Sequence, residues 1–336
     1  MAKINTGTVK LDTQPRVISY ASAVGKKEGE GPLADYFDEK SNDSLFGEDS
    51  FEKAESKLQQ ISTAKALAKA GLDYCDIDCI FAGDLLNQCI GSSFGLRKTG
   101  MPFVGVYGAC STMALTLCLA GIFVDSGAAE RAVAVTSSHF CSAERQYRFP
   151  LEYGSQRTPT AQWTVTGSGA VVVGKTGGSA AINAVCFGKV EDLGVKDANN
   201  MGAAMAPAAA STIKRFFEDT KTKPADYDKI FTGDLGLVGS SLLYDLLEND
   251  GINIRSVHSD CGLMIFDREK QDVHAGGSGC GCSASVLTGY ILKKVESGEY
   301  RNILFCATGA LLSPTSTFQG ESIPSIAHIV NFKYVK

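Results

Sequence analysis

Two nine-residue stretches, DIDCIFAGD (76–84) and DYDKIFTGD (226–234), stand 150 residues apart and share two spaced aspartates, an Ile-Phe pair and a closing Gly-Asp. Each closes a longer segment, 51–86 and 211–236, in which apolar residues at helical spacing lead through a polar turn into the shared stretch. The likeness continues downstream, where YGACSTMALTLCLAG (107–121) resembles SGCGCSASVLTGYIL (278–292). In both, a glycine-flanked cysteine opens a helical run, and a turn and an arginine then lead to an apolar strand ending in threonine, AVAVT (132–136) or ILFCAT (303–308). Such continuous apolar runs suit strands covered on both faces. Each half closes on a further strand-like run, GSGAVVVG (167–174) and IAHIVNF (326–332). Strands and helices alternating in tandem predict an α/β chain of two similar halves, 1–178 and 179–336.

Three segments have no counterpart. Residues 26–50 are polar and turn-rich and read as a surface excursion. Residues 138–165 are an insertion in the first half that holds the one tryptophan and Arg145, Arg148 and Arg157; long insertions between core strands are commonly lids or binding loops. The small, apolar tract 199–211 is expected to pack at the junction of the halves.

A net charge of −5 over 336 residues argues against nucleic acid as a partner, since phosphate contact needs a surplus of Lys and Arg. No apolar run approaches the length that spans a bilayer, and the first residues lack the apolar core of a signal peptide. Eleven cysteines without a second pair at metal-ligand spacing read mostly as buried thiols, so no metal site is expected.

The Gly-Ala-Cys-Ser at 108–111, in a duplicated α/β chain, resembles the thiolase superfamily. Within it, GPLADYFD, FVGVYGACST, AERQYRFPLEYG, TVTGSGAVVVG, MGAAMAPAAASTIK, DCGLMIFD and GGSGCGCSA resemble the stage V sporulation protein AD family over nearly the whole chain. The resemblance implies a thiolase-like five-layer αβαβα sandwich, with Cys110 at the nucleophile position. It also implies binding of dipicolinic acid (pyridine-2,6-dicarboxylate), alone or with calcium, for uptake into the forming spore and release at germination. The same likeness implies work beside membrane proteins of one sporulation operon, peripheral to the spore inner membrane, and a homodimer joined at an edge of the first-half sheet. No resident cofactor is implied; calcium would arrive with the ligand.

A cysteine at a helix N-terminus has its thiolate favoured, so Cys110 has a nucleophile's placement. Superfamily enzymes add two proton-shuttling residues from the second half. The first of those positions falls at Gly233 and Asp234, with no histidine; the second falls near Cys280 and Gly281, with His274 six residues before Cys280. Asp234, like Asp84 in the other copy, reads as a turn or helix-capping aspartate.

Without shuttles, two helix N-termini facing one cleft still make a carboxylate site. The ligand-binding candidates are Cys110, Cys280 and the strand-end residues Thr136, Ser137, Ser138 and His139, with Arg145 as a bidentate partner. Three readings stand: a dipicolinate receptor, an acyltransferase using Cys110, and an adaptor with a vestigial pocket.

Overall fold

The computed structural model describes residues 1–147 and 157–336. Its first half runs β1 (Arg16–Val24), α1 (Phe51–Ala70), β2 (Cys79–Gly83), α2 (Ile90–Leu96), β3 (Phe103–Gly105), α3 (Thr112–Asp125), β4 (Arg131–Ser138), α4 (Phe140–Tyr147) and β5 (Gly167–Gly174). The second runs β6 (Ala180–Phe187), α5 (Met201–Thr220), β7 (Lys229–Thr232), α6 (Gly236–Asn249), β8 (His258–Asp260), α7 (Cys280–Val286), β9 (Asn302–Ala310) and β10 (Ser325–Tyr334). Strand order is β3-β2-β4-β5-β1 in one half and β8-β7-β9-β10-β6 in the other, so corresponding strands hold corresponding places. The halves meet where β1 pairs antiparallel with β6, at Val17–Ala180 and Arg16–Ala181.

The duplication extends to individual hydrogen bonds. Asp76 and Asp226 each accept the backbone N–H three residues earlier, closing the turn before the strand (2.8 Å in both). Asp78 accepts the N–H groups of Glu130 and Arg131, and Asp228 those of Arg301 and Asn302, so each pins the neighbouring parallel strand. Phe81 and Phe231 both point into the middle of the molecule and are at most 1% exposed.

Helix α1 starts at Ser50, whose side chain accepts the Lys53 N–H, and stops at Gly71 in the left-handed conformation. It covers the outer face of the first sheet, and α5 covers that of the second. The inner helices are shared. Helix α3 lies between β2 and β4 of its own half and β9 and β10 of the other, whereas α7 packs mainly on β4 and β5 of the opposite half. Helix, sheet, helix, sheet, helix is the thiolase-like layering expected from the sequence.

Two expectations need correction. The tract 199–211 is not a separate junction piece; it is the first half of α5, which starts at Met201 and so matches α1 at an offset of 150. Pro207 inside that helix lacks an N–H and interrupts the helical signal. Gly202 packs closely on Gly239 of α6, within the second half. The excursion 26–50 is also less free than its polarity suggests. Leu33 and Phe37 are buried in the main core, and buried Glu28 accepts the Thr166 N–H at 2.9 Å.

Candidate functional site

Cys110 sits in a single 3-10 turn, Ala109–Ser111, that leads into α3. Small hydroxyls hold the turn. Ser111 Oγ donates to the Gly108 carbonyl at 2.6 Å, while Thr112 Oγ1 donates to Ala109 and accepts from the Gly108 N–H. Ala109 takes φ +49°, an uncommon conformation for a residue with a side chain and one that marks a functional turn in many proteins. The end of β9 reaches this turn because Gly309 has no side chain; a Cβ there would collide with the Gly108 carbonyl oxygen.

Beside the turn lies a cavity of about 160 Å³. Cys110, Tyr107, Leu85, Ser278, Ala310 and Leu312 form one part of its wall, and Ala143, Glu144, Tyr147, Ala161, Gln162 and Thr164 of the first-half insertion form another. Ala198, Asn199 and Met201 complete it from the approach to α5. Tyr147 donates to the Leu85 carbonyl and lies 3.1 Å from the Tyr107 hydroxyl, which ties the insertion to the cysteine turn. Gln162 Nε2 donates to the carbonyls of Asp234 (2.7 Å) and Gly277 (2.8 Å), and residues 163–164 pair in parallel with 277–278. Among the described residues, the wall carries no Lys, Arg or His.

Electrostatics at the floor oppose ionisation of the thiol. Cys110 Sγ is 4.0 Å from Ser278 Oγ, which donates to the Asp234 carboxylate at 3.2 Å. Burial, and then the charge of Asp234, push the Cys110 thiol well above its ordinary range. The expected thiolate bias from the helix terminus is therefore outweighed. Asp234 also accepts from the Gly279 N–H (2.8 Å) and Thr308 Oγ1 (2.9 Å), and burial raises it to about 6.

Of the seven candidate residues, the structure brings Cys110 alone to the cavity wall. Cys280 is buried behind it and donates to the Ser137 carbonyl at 2.9 Å. Thr136 Oγ1 donates to the Cys280 carbonyl, Ser137 Oγ to Glu55, and Ser138 Oγ to the Val165 carbonyl. His139 accepts from the Cys141 N–H at Nδ1 and so donates through Nε2 to the Ser44 carbonyl; burial lowers its pKa, keeping it neutral. Arg145 pairs with Glu52 on the surface, Arg157 with Asp272, and Arg148 lies outside the described residues.

The second helix terminus is closed. The Gly279 N–H is taken by Asp234 and the Gly281 N–H by Ser138 Oγ at 3.1 Å, so the expected pair of open termini does not form. Asp234 does not cap α6 either. Asp260 does that, accepting from Leu235 and Gly236, while Asp84 keeps the local role, binding Leu86 and Ser92 ahead of and within α2. His274 is held by the Thr158 carbonyl and Asp272, away from the cavity.

A family model described as stage V sporulation protein AD matches residues 5–333. The stage V sporulation protein AD of Bacillus subtilis (strain 168) is 47% identical over 317 residues, 94% of each chain. Among solved structures, 3-oxoacyl-[acyl-carrier-protein] synthase III from Aquifex aeolicus VF5 is similar at a TM-score of 0.57 and 14% identity, covering 95% of this chain and 100% of that one. An OleA structure from Xanthomonas campestris is similar at 0.60 and 12% identity, covering 96% and 98%. At these identities the structural likeness establishes the fold.

Proposed function

The chain belongs to the stage V sporulation protein AD family, and on that premise we propose that its cavity is the receptor site for dipicolinate, alone or with calcium, on the acid's way into the forming spore and out at germination. A place in sporulation follows from the family; the ligand is the further step.

The cavity carries the argument. About 160 Å³ is the scale of one small aromatic ring, since an enclosed apolar space of roughly 150 Å³ takes up benzene. Its wall combines two tyrosines with neutral polar groups, Gln162, Thr164, Asn199 and Ser278, that suit a flat ring with polar edges, and one acidic side chain, Glu144. With no basic residue on the described wall, a dianion must enter neutralised by its calcium or be accommodated by the protein.

Acyl transfer is the second reading. It needs a thiolate and a base, whereas Cys110 is held as a thiol with Ser278 and Asp234 nearest to it and no histidine on the wall.

Two partners belong to the same proposal. We assign a second copy to β3, a reading supported by its being an edge strand exposed along its length, with Phe94, Phe103 and Val104 exposed near the cavity residue Tyr107. Among the described residues no helix is long and apolar enough to cross a membrane, so attachment to the spore inner membrane is assigned to membrane proteins of the same operon.

Calorimetric titration with dipicolinate, with and without calcium, tests the receptor reading. We expect micromolar binding to the wild type, weakening with Cys110→Ala and absent with Cys110→Phe, both variants remaining folded. No binding, together with a mass increase on Cys110 after incubation with acyl-coenzyme A, would replace the receptor with the transferase.

A further inference from the structure

We propose that the buried carboxylate of Asp234 takes up a proton from solvent when an anionic ligand settles over Cys110 and Ser278, so that occupancy of the cavity is tied to pH. This rests on the receptor reading above and adds the regulation of that site.

Asp234 lies one side-chain layer beneath the cavity floor and is fully buried. Its oxygens are met by the Cys110 thiol, the Gly279 N–H, Ser278 Oγ–H and Thr308 Oγ–H, all of them neutral donors. No basic side chain is among its hydrogen-bond partners, and the described wall supplies none. The groups facing it are the thiols of Cys110, Cys261, Cys280 and Cys282 and the carboxyl of Asp260, which is held by Thr232 Oγ1 and by the Leu235 and Gly236 N–H groups. The cavity's other titratable side chains are Glu144, Tyr107 and Tyr147. Lys27 and Arg157 lie over the Trp163 ring, and Arg157 and His274 pair with Asp272; none of these reaches the wall.

Among the described residues, an arriving carboxylate therefore meets a buried negative charge with no counter-charge between them. Burial already brings Asp234 to about 6, and a second anion acts in the same direction. Protonation resolves the repulsion while leaving Asp234 its acceptor oxygen for Gly279.

Calorimetry with dipicolinate in buffers of different ionisation heat counts the protons. Its carboxyls stay ionised above pH 6, so uptake there belongs to the protein. For the wild type we expect uptake approaching one proton per ligand at neutral pH, and affinity falling by up to about tenfold per pH unit. Asp234→Asn preserves shape, since its amide can donate to Thr308 Oγ1 while its oxygen accepts from Gly279, and should show no uptake and a flat pH profile. Thr308→Val removes one donor from the ionised form and should move the midpoint of the wild-type profile to higher pH, a shift that mere destabilisation does not produce.

The neutral calcium chelate should bind without uptake. Wild-type binding without uptake, uptake that persists in Asp234→Asn, or equal uptake with chelate and free acid would each overturn the coupling. Absence of dipicolinate binding at every pH would instead sink the receptor reading.

Discussion

At the cysteine turn, single atoms decide what the site can do. Gly309 is a position where one methyl group matters: its Cβ would press on the Gly108 carbonyl and come within 3.2 Å of the Cys110 nitrogen. Gly309→Ala should therefore cost about 1–3 kcal/mol in chemical denaturation and weaken ligand binding together with it. Tyr147→Phe removes the hydroxyl that joins the insertion to Leu85 and Tyr107. Its expected cost is about 1 kcal/mol of stability, with a larger loss of affinity measured calorimetrically. Sequence reading found Cys110 because a small-residue turn before an apolar helix is a local pattern. It missed Ser278, although that residue directly precedes the duplicate Gly-Cys turn, because a serine there carries no signal of its own. Thr136 to His139 occupy the right end of the right strand, but α1 and α7 take up the polar groups of Thr136 and Ser137, leaving the wall to residues that arrive from elsewhere.

Between elements, the repeated stretch was a reliable guide because its residues do the same mechanical work twice. Phe81 and Phe231 fill equivalent places in one continuous core. Phe81→Ala and Phe231→Ala should each cost about 3–5 kcal/mol and leave a single cooperative unfolding transition. A much smaller cost for one of them, or two transitions, would mean the halves fold independently. The first strand of each half, β1 and β6, was less legible, and the first half of α5 read as a separate small, apolar tract because its alanines and Pro207 carry no helical periodicity. The insertion was recognised as a lid or binding loop from its length and odd composition; which of its residues line the cavity depends on pairing with 277–278, a contact more than 100 positions away in sequence. The free edge at β3 has an internal reference in β8, whose His258 and Asp260 are buried beneath the chain's own helices while Phe103 is 41% exposed. Val104→Lys should shift the protein to monomers in light-scattering measurements without lowering its melting temperature.

Over the whole molecule, buried titratable groups set an unusual pH response. Burial raises Glu28 and Asp260 to about 7 and Asp234 to about 6, and also raises Glu55 and Asp84. Each of these holds its proton more tightly when folded, so its contribution is present at low pH and lost as pH rises through the folded value. His139, His258 and His328 are lowered by burial, the last two to about 4, and act oppositely, adding stability as pH rises through the ordinary histidine range near roughly 6.5, where the unfolded chain gives up its protons. Above about pH 7 the unfolded histidines are mostly neutral while Glu28 and Asp260 are still losing protons in the native state, so the melting temperature should fall between pH 7 and 8. A melting temperature that climbs from pH 7 to 8 would contradict this assignment. None of this was visible in the composition, since net charge counts groups without regard to what surrounds them.

The exchange of inner helices between the halves has a further consequence. At the main sheet they are stitched by five residue pairs, two from β1 and three from residues 8–10, all against β6, and the turn joining them at 175–178 is exposed. A chain opened in that turn would yield two fragments, each holding a helix that belongs against the other's sheet. Neither would be complete, yet together they would offer one another the missing layer, and co-expression should return the intact molecule. Fragment complementation would thus separate the two halves and restore them.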